Sequence, residues 1–172
     1  MNPITLTTDR LVLRPVRMED AEPMFLNWAN NPEVTKYMTW EPHGNIEVTK
    51  QVINYWLKKY EDPDTVRFVI TLKGSDEPFG TIDIVEFIDG TPVIGYCLAK
   101  KLWNKGYMTE ACKAVIKYVF SLGYKRIIIE AVDENIGSNR VIQKCGFKLV
   151  EKRNEKFKGK IVTINQYEIN RF

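Results

Sequence analysis

Histidine occurs once in 172 residues, at His43, and cysteine only three times, at Cys97, Cys112 and Cys145. A single imidazole excludes multi-histidine metal centres and H-E-x-x-H helices, so no metal is expected. Any Ser-His-Asp or Cys-His nucleophile system would have to use His43. That residue lies in Trp40-Glu-Pro-His43-Gly-Asn45, a Pro/Gly loop where a solvated side chain is the expectation. The cysteines form no C-x-x-C pair, which removes zinc ribbons and thioredoxin-type redox sites. Their odd number and wide spacing fit reduced thiols acting as small hydrophobes, as in the cytoplasm. Neither G-x-x-x-x-G-K-[ST] nor G-x-G-x-x-G is present, so ordinary P-loop and dinucleotide fingerprints are absent. No apolar run approaches the roughly 20 residues that a membrane span needs. The first ten residues hold no apolar signal core, so a cytoplasmic location is expected and a membrane partner is not.

What is there reads as one ordinary globular domain over residues 1–172. Hydrophobic residues make up 44% and charged ones 27%, with a net charge of only +3. Alternation in Arg10-Leu-Val-Leu-Arg14 predicts a first strand stopped by Pro15. Ala21, Met24, Phe25 and Trp28 predict a helix over 18–30, broken by Asn31-Pro32, and a second helix is expected over 47–60. Strands follow over 67–72, 79–88 and 91–99, the last two joined by the Asp89-Gly90 hairpin signal. The helical period returns over 109–122 and closes at Gly123. Residues 126–132 form an apolar run suited to a strand buried on both faces. A short helix over 137–145 and strands over 147–152 and 161–169 complete the order. The β-α-β unit from Val93 to Val132 demands a parallel pair, so the class is α/β with a mixed sheet.

Chemistry concentrates where the strand ending near Ala99 enters a basic loop around Gly106 and then a long helix. Helix N-termini carry partial positive charge and free N–H groups suited to phosphate oxygens. Lys100, Lys101 and Lys105 add positive charge nearby. One glycine alone leaves a plain β-α turn equally open. However, Trp103-Asn-Lys-Gly106-Tyr-Met-Thr-Glu-Ala resembles the acetyl-CoA loop of the GNAT superfamily of N-acetyltransferases, Q/R-x-x-G-x-G/A. Its Trp-first form is similar to the ribosomal-protein-alanine (RimJ/RimL-like) branch. Asn135-Ile-Gly-Ser138-Asn-Arg-Val-Ile-Gln-Lys144-Cys-Gly146-Phe147 resembles that branch's N-x-x-S-x-x-V-x-x-K-x-G-F segment. Thr8-Asp-Arg10-Leu-Val-Leu-Arg14-Pro, Asp20-Ala, Asn31-Pro-Glu-Val34 and Tyr37-Met38 are similar to its N-terminal half.

The resemblance implies a mostly antiparallel twisted sheet of about seven strands, flanked by four helices around a parallel CoA-binding β-α-β unit. It implies acetyl-CoA as co-substrate. Amides from Trp103, Asn104, Lys105, Gly106, Tyr107, Met108 and Thr109 would cradle the pyrophosphate. Backbone groups of Cys97 and Leu98, where the strand would splay from its neighbour, would pair with the pantetheine arm, and a main-chain N–H there would serve the thioester oxygen. Asn135 would bond the pantetheine, and Ser138 would lie near the sulfur. Two positions depart from the pattern: Met108 stands where Gly or Ala is usual, and Ile142 where many relatives carry an acid tyrosine. Ser138 is the expected substitute.

The implied reaction is direct attack by a neutral amine. An α-amino group titrates at about 7.7–8.0 and a lysine at about 10.4, so a protein or peptide N-terminus is the easier acceptor. Glu86 and Glu130, at strand ends, are the candidate bases acting through water. Tyr37 and Trp40 are the candidate acceptor-pocket residues. Rival readings are acetylation of a small amine (a polyamine, amino acid or antibiotic), a CoA sensor without turnover, and a basic RNA-binding module. The last rests on residues 140–160, with eight basic side chains against two acidic, which also suggests a ribosome contact. Homodimers are common among such relatives.

Overall fold

The computed structural model describes residues 3–171. Its strands are β1 (Leu6–Thr7), β2 (Leu11–Arg14), β3 (Arg67–Leu72), β4 (Pro78–Ile88), β5 (Thr91–Leu98), β6 (Arg126–Val132), β7 (Lys148–Phe157) and β8 (Lys160–Asn170). Its α-helices are α1 (Ala21–Met24), α2 (Pro32–Thr35), α3 (Ile46–Lys59), α4 (Tyr107–Ser121) and α5 (Ile136–Lys144). The eight strands are hydrogen-bonded in the order β1-β2-β3-β4-β5-β6-β8-β7. Val93 and Ile94 of β5 pair with Ile128 and Ile129 of β6 in parallel, as the β-α-β reading requires. The sheet therefore has one strand more than the expected seven, the addition being the two-residue β1. Asp89 and Gly90 both take positive φ, the hairpin geometry expected of Asp-Gly.

Chain contacts divide the fold into two compact units. The first holds the chain up to Asp83 together with Tyr96–Tyr107; the second holds Ile84–Gly95 and the described residues from Met108 on.

In the first unit, β2 and β3 pair antiparallel from Leu11↔Leu72 to Arg14↔Val69. Leu11, Leu13, Met24, Trp28, Ile53 and Ile70 are fully buried there. Burying each such side chain contributes about 1.5–3 kcal/mol. The helix expected over 18–30 is three pieces: a 3₁₀ turn at Met18–Asp20, α1, and a π turn at Phe25–Ala29. Asn30 N–H donates to the Phe25 carbonyl at 3.2 Å, the widened step. Asn27 is tied to the start of β4 through the Pro78 carbonyl at 2.9 Å. Asn31-Pro32 breaks that stretch, as read, and also starts α2. Asn31 Oδ1 accepts from Glu33 N–H at 2.9 Å, and Pro32 takes the first helical turn, where its missing N–H costs nothing. Buried Arg14 forks onto Asp20 at 2.8 and 2.9 Å and reaches Asp76 at 2.9 Å.

In the second unit, Ile127, Ile128 and Ile129 of β6 are buried, fitting a strand between parallel β5 and antiparallel β8. Helix α4 buries Met108, Ala111, Cys112, Val115, Ile116 and Val119, a three-and-four spacing, and stops at Gly123 with φ +103°. Helix α5 closes at Gly146, φ +91°. The β7–β8 hairpin is four residues longer on β7 than the alternation predicts. Almost every β7 side chain is exposed, so no hydrophobic period marks its second half. Its register shifts between Leu149 and Glu151.

Candidate active site

Ahead of the expected donor loop, β4 and β5 do not splay at Cys97 and Leu98 as expected but lie close together. A Cβ on Gly80 would overlap the Cys97 carbonyl oxygen and lie 3.1 Å from the Leu98 Cα. Ala99 N–H donates to the Phe79 carbonyl at 2.7 Å. The Cys97 thiol is buried, 3.3 Å from the Thr81 hydroxyl, and burial pushes its pKa up to about 11. A 3₁₀ turn at Lys100–Leu102 follows, and Trp103 folds back so that its Nε1–H donates to the Leu98 carbonyl at 2.8 Å. Trp103 thus braces the loop through its indole, an internal role the motif did not express.

Asn104 and Gly106 both hold left-handed backbone, with φ +60° and +80°, and Tyr107 opens the fifteen-residue α4. Left-handed residues at such a turn form concave sets of N–H groups that hold anions. A Cβ on Gly106 would meet Arg10 Nη2 at 3.3 Å and no other atom within 4 Å, so the rest of that face is open. Met108 is buried in the first turn of α4, which places its side chain in the core rather than in the loop. Thr109 follows, its carbonyl accepting from the Cys145 thiol at 3.7 Å. Two of the three lysines expected to add charge are otherwise engaged: Lys100 pairs with Glu33, and Lys101 lies over Phe79 at 4.6 Å. Lys105 is exposed.

In the second unit, Asn135 caps α5, its Oδ1 accepting from Ser138 N–H at 3.3 Å. This uses the oxygen of the expected pantetheine ligand and leaves its Nδ2 hydrogens for another acceptor. Ser138 is half-buried in the first turn of α5. Ile142 is fully buried, so the place of the usual tyrosine is part of the core here. Asn139, one residue past Ser138, was not singled out by sequence, yet it is the hub of the segment. Its Nδ2 donates to the Val132, Asp133 and Asn135 carbonyls at 3.0, 3.3 and 2.8 Å. Its Oδ1 accepts from Asn165 Nδ2 at 3.0 Å and from the Tyr167 hydroxyl at 2.7 Å. Asp133 is held below the ordinary 3.8 by Asn165 and Lys152, which donate to it. Of the candidate bases, Glu86 is exposed on β4 and Glu130 is paired with Arg153.

The acceptor-side candidates lie in the first unit. Tyr37 is half-buried under Lys36, whose Nζ is 5.1 Å from the ring centre. Trp40 is also half-buried and packs 5.3 Å from the His43 ring. His43 departs from the solvated position expected of it. Its Nδ1 meets the buried Thr49 hydroxyl at 2.7 Å, its backbone N–H donates to the Ala29 carbonyl at 3.0 Å, and burial lowers its pKa from 6.5. Trp28 is core. Among the described residues no group of three or more His, Cys, Asp or Glu is placed to hold a metal, and no helix is long and apolar enough to cross a membrane.

Residues 10–148 match the Acetyltransferase (GNAT) domain family. The uncharacterized N-acetyltransferase p20 of Bacillus licheniformis is 31% identical over 170 residues, covering 96% of this chain and 95% of that protein. A GNAT-family acetyltransferase structure from Bacillus anthracis superposes with TM-score 0.85 at 25% identity, covering 97% of this chain and 98% of the other. RimL, a ribosomal L7/L12 alpha-N-protein acetyltransferase solved with coenzyme A, shares the fold with TM-score 0.85 at 19% identity, over 97% and 98% of the two chains. The left-handed loop ahead of α4, the parallel β5–β6 pair and the sequence match agree: this chain belongs to the GNAT acetyltransferase family and is an acyltransferase.

Proposed function

We propose that residues 1–172 are one acetyl-CoA-dependent N-acetyltransferase domain of the RimJ/RimL-like branch, acting in the cytoplasm on the N-terminal α-amino group of a protein or peptide. The observation that carries the donor assignment is the pair of left-handed residues, Asn104 and Gly106, at the head of α4. Their amides and that of Tyr107 suit a pyrophosphate, and the helix dipole adds to the attraction. RimL, similar in fold, is described with coenzyme A and as an alpha-N-protein acetyltransferase, which supports the same donor and acceptor class here.

When bound, acetyl-CoA supplies an acyl thioester. Cys97 and Leu98 remain the proposed main-chain contacts of the arm at the end of β5, although the Cys97 carbonyl lies against Gly80 and the Leu98 carbonyl already accepts one bond from Trp103. A main-chain N–H at this stretch would polarise the acyl oxygen. In the second unit, the Asn135 amide hydrogens would hold the arm, and the Ser138 hydroxyl would deliver a proton to the departing sulfur. Since a free thiol titrates near 8.5, that step needs little acid assistance. With Glu130 paired and Glu86 exposed, a strong protein base is not in evidence at either strand end. An acceptor that is already partly neutral suits this inventory. A lysine-like amine is neutral in about one molecule per thousand near pH 7.4. Tyr37 and Trp40 remain the proposed acceptor contacts.

The test is titration calorimetry with acetyl-CoA, followed by thiol release against a panel of N-terminal peptides, polyamines, amino acids and antibiotics. Binding with turnover on peptides supports the proposal. Turnover confined to polyamines, amino acids or antibiotics replaces the acceptor with a small amine. Binding without turnover on any of them favours a sensor, and absence of binding overturns the donor assignment.

A further inference from the structure

We propose that Arg10 is a positioning residue for the anion-binding loop: it turns the Lys105–Gly106 peptide so that the Gly106 N–H faces the donor's pyrophosphate. This rests on the acetyl-CoA reading above.

Arg10 arrives by way of the turn between β1 and β2. That turn is fixed by Thr8 N–H to the Leu11 carbonyl at 3.0 Å and by Leu11 N–H to the Thr8 hydroxyl at 3.0 Å. The Arg10 carbonyl itself accepts from Lys73 N–H at 2.9 Å. From this anchored backbone the guanidinium crosses to a loop 95 residues away, where Nη1 donates to the Lys105 carbonyl at 3.0 Å. The same guanidinium lies 4.3 Å above the centre of the Tyr107 ring. It therefore holds the residues on either side of Gly106 at once.

The consequence follows from peptide geometry. In a planar trans peptide the carbonyl and the N–H point in opposite directions. A Lys105 oxygen held by Arg10 therefore directs the Gly106 hydrogen away from the guanidinium. Glycine accepts either sign of φ almost equally, so Gly106 does not itself choose between the two faces of this peptide. With the other face outward, a carbonyl oxygen would meet the anion. Arg10 thereby selects the attractive face. Lysine cannot donate to the carbonyl and lie flat on the ring together, because that requires a planar fork.

The test compares native protein, Arg10→Ala and Arg10→Lys with two donors, acetyl-CoA and S-acetylpantetheine, the latter lacking the pyrophosphate. The readout is the ratio of kcat/KM for acetyl-CoA to that for S-acetylpantetheine. We expect Arg10→Ala to lower this ratio about tenfold, the size of one charge-assisted hydrogen bond with its ring contact, and Arg10→Lys to recover part of it. Arg10 is exposed, so thermal melting of both variants should stay close to native. A ratio unchanged in Arg10→Ala, whether or not both rates fall, overturns the proposal, since general loosening handicaps both donors alike. Failure of the native protein to bind acetyl-CoA overturns the donor reading instead, and the two failures are told apart before any variant is measured.

Discussion

Cys97 lies on the strand proposed to meet the acyl thioester, so its state bears on whether an acyl-enzyme can form. With its pKa pushed to about 11 by burial, the thiol stays protonated at pH 7.5. Its hydroxyl neighbour, Thr81, favours the thiolate but does not offset burial. Iodoacetamide at pH 7.5 should therefore leave Cys97 unlabelled in the native protein while unfolded protein is labelled, read by mass spectrometry of the peptides. Rapid labelling of the folded chain would reopen a covalent route. At this scale the sequence was informative where a residue acts through its own backbone. Gly106 and the helix start were legible because glycine, lysines and a following helical period announce them. Arg10 was legible only as part of a resemblance, since its partner lies 95 residues downstream and no local spacing encodes that bond. Gly80 was silent for a similar reason: the atoms it makes room for belong to another strand.

Helices and strands were legible in proportion to their hydrophobic period. Helix α4, with one buried face, was placed within two residues at its start and one at its end, and β6 was placed to the residue. The stretch over 18–30 has the same apolar spacing, but it winds as 3₁₀, α and π in turn, because side-chain ties such as Asn27 to Pro78 act from outside the helix. Helix α5 shows a tie of higher energetic weight. Asn139 joins its first turn to the end of β6 and to β8 through three donated and two accepted bonds to five different residues. Asn139→Ala removes all of them and strands buried donors and acceptors, so we expect a loss of about 3 kcal/mol in chemical denaturation. Tyr167→Phe removes one donor while Asn165 still serves the Asn139 oxygen, and should cost about 1 kcal/mol. Equal losses in the two variants would show that Asn139 is not the hub.

Over the whole molecule, the response to acid sums carboxylates of opposite behaviour. The Asp76 carboxyl lies below the ordinary 3.8, chiefly through the hydrogen bond from Arg17 and then the charge of Arg14. Asp133 is lowered in the same direction. A depressed carboxyl stabilises the fold above its unfolded value and loses that contribution as pH falls through its folded value. Asp83 is raised by burial, against the pull of Arg67, and so favours the folded state as pH falls. We expect stability to decline below about pH 4, and Asp76→Asn to be less stable at pH 7 with a shallower acid slope. An Asp76→Asn slope equal to native would remove Arg14 and Arg17 from the acid response. Charge also bears on the basic tract at 140–160. Lys152 pairs with Asp133, and Arg153 with Glu130, Glu151 and Glu155, which dilutes the field an RNA would meet. The sequence showed that tract as a charge count; its pairings needed the fold. β7 ends the sheet, and along it Lys148, Glu151, Lys152, Glu155 and Lys156 are exposed, with Arg153 partly so. A stray strand from another molecule would have to bury those charges to dock there, so β7 is a poor template for fibril growth, and concentrated stocks should stay dispersed on storage.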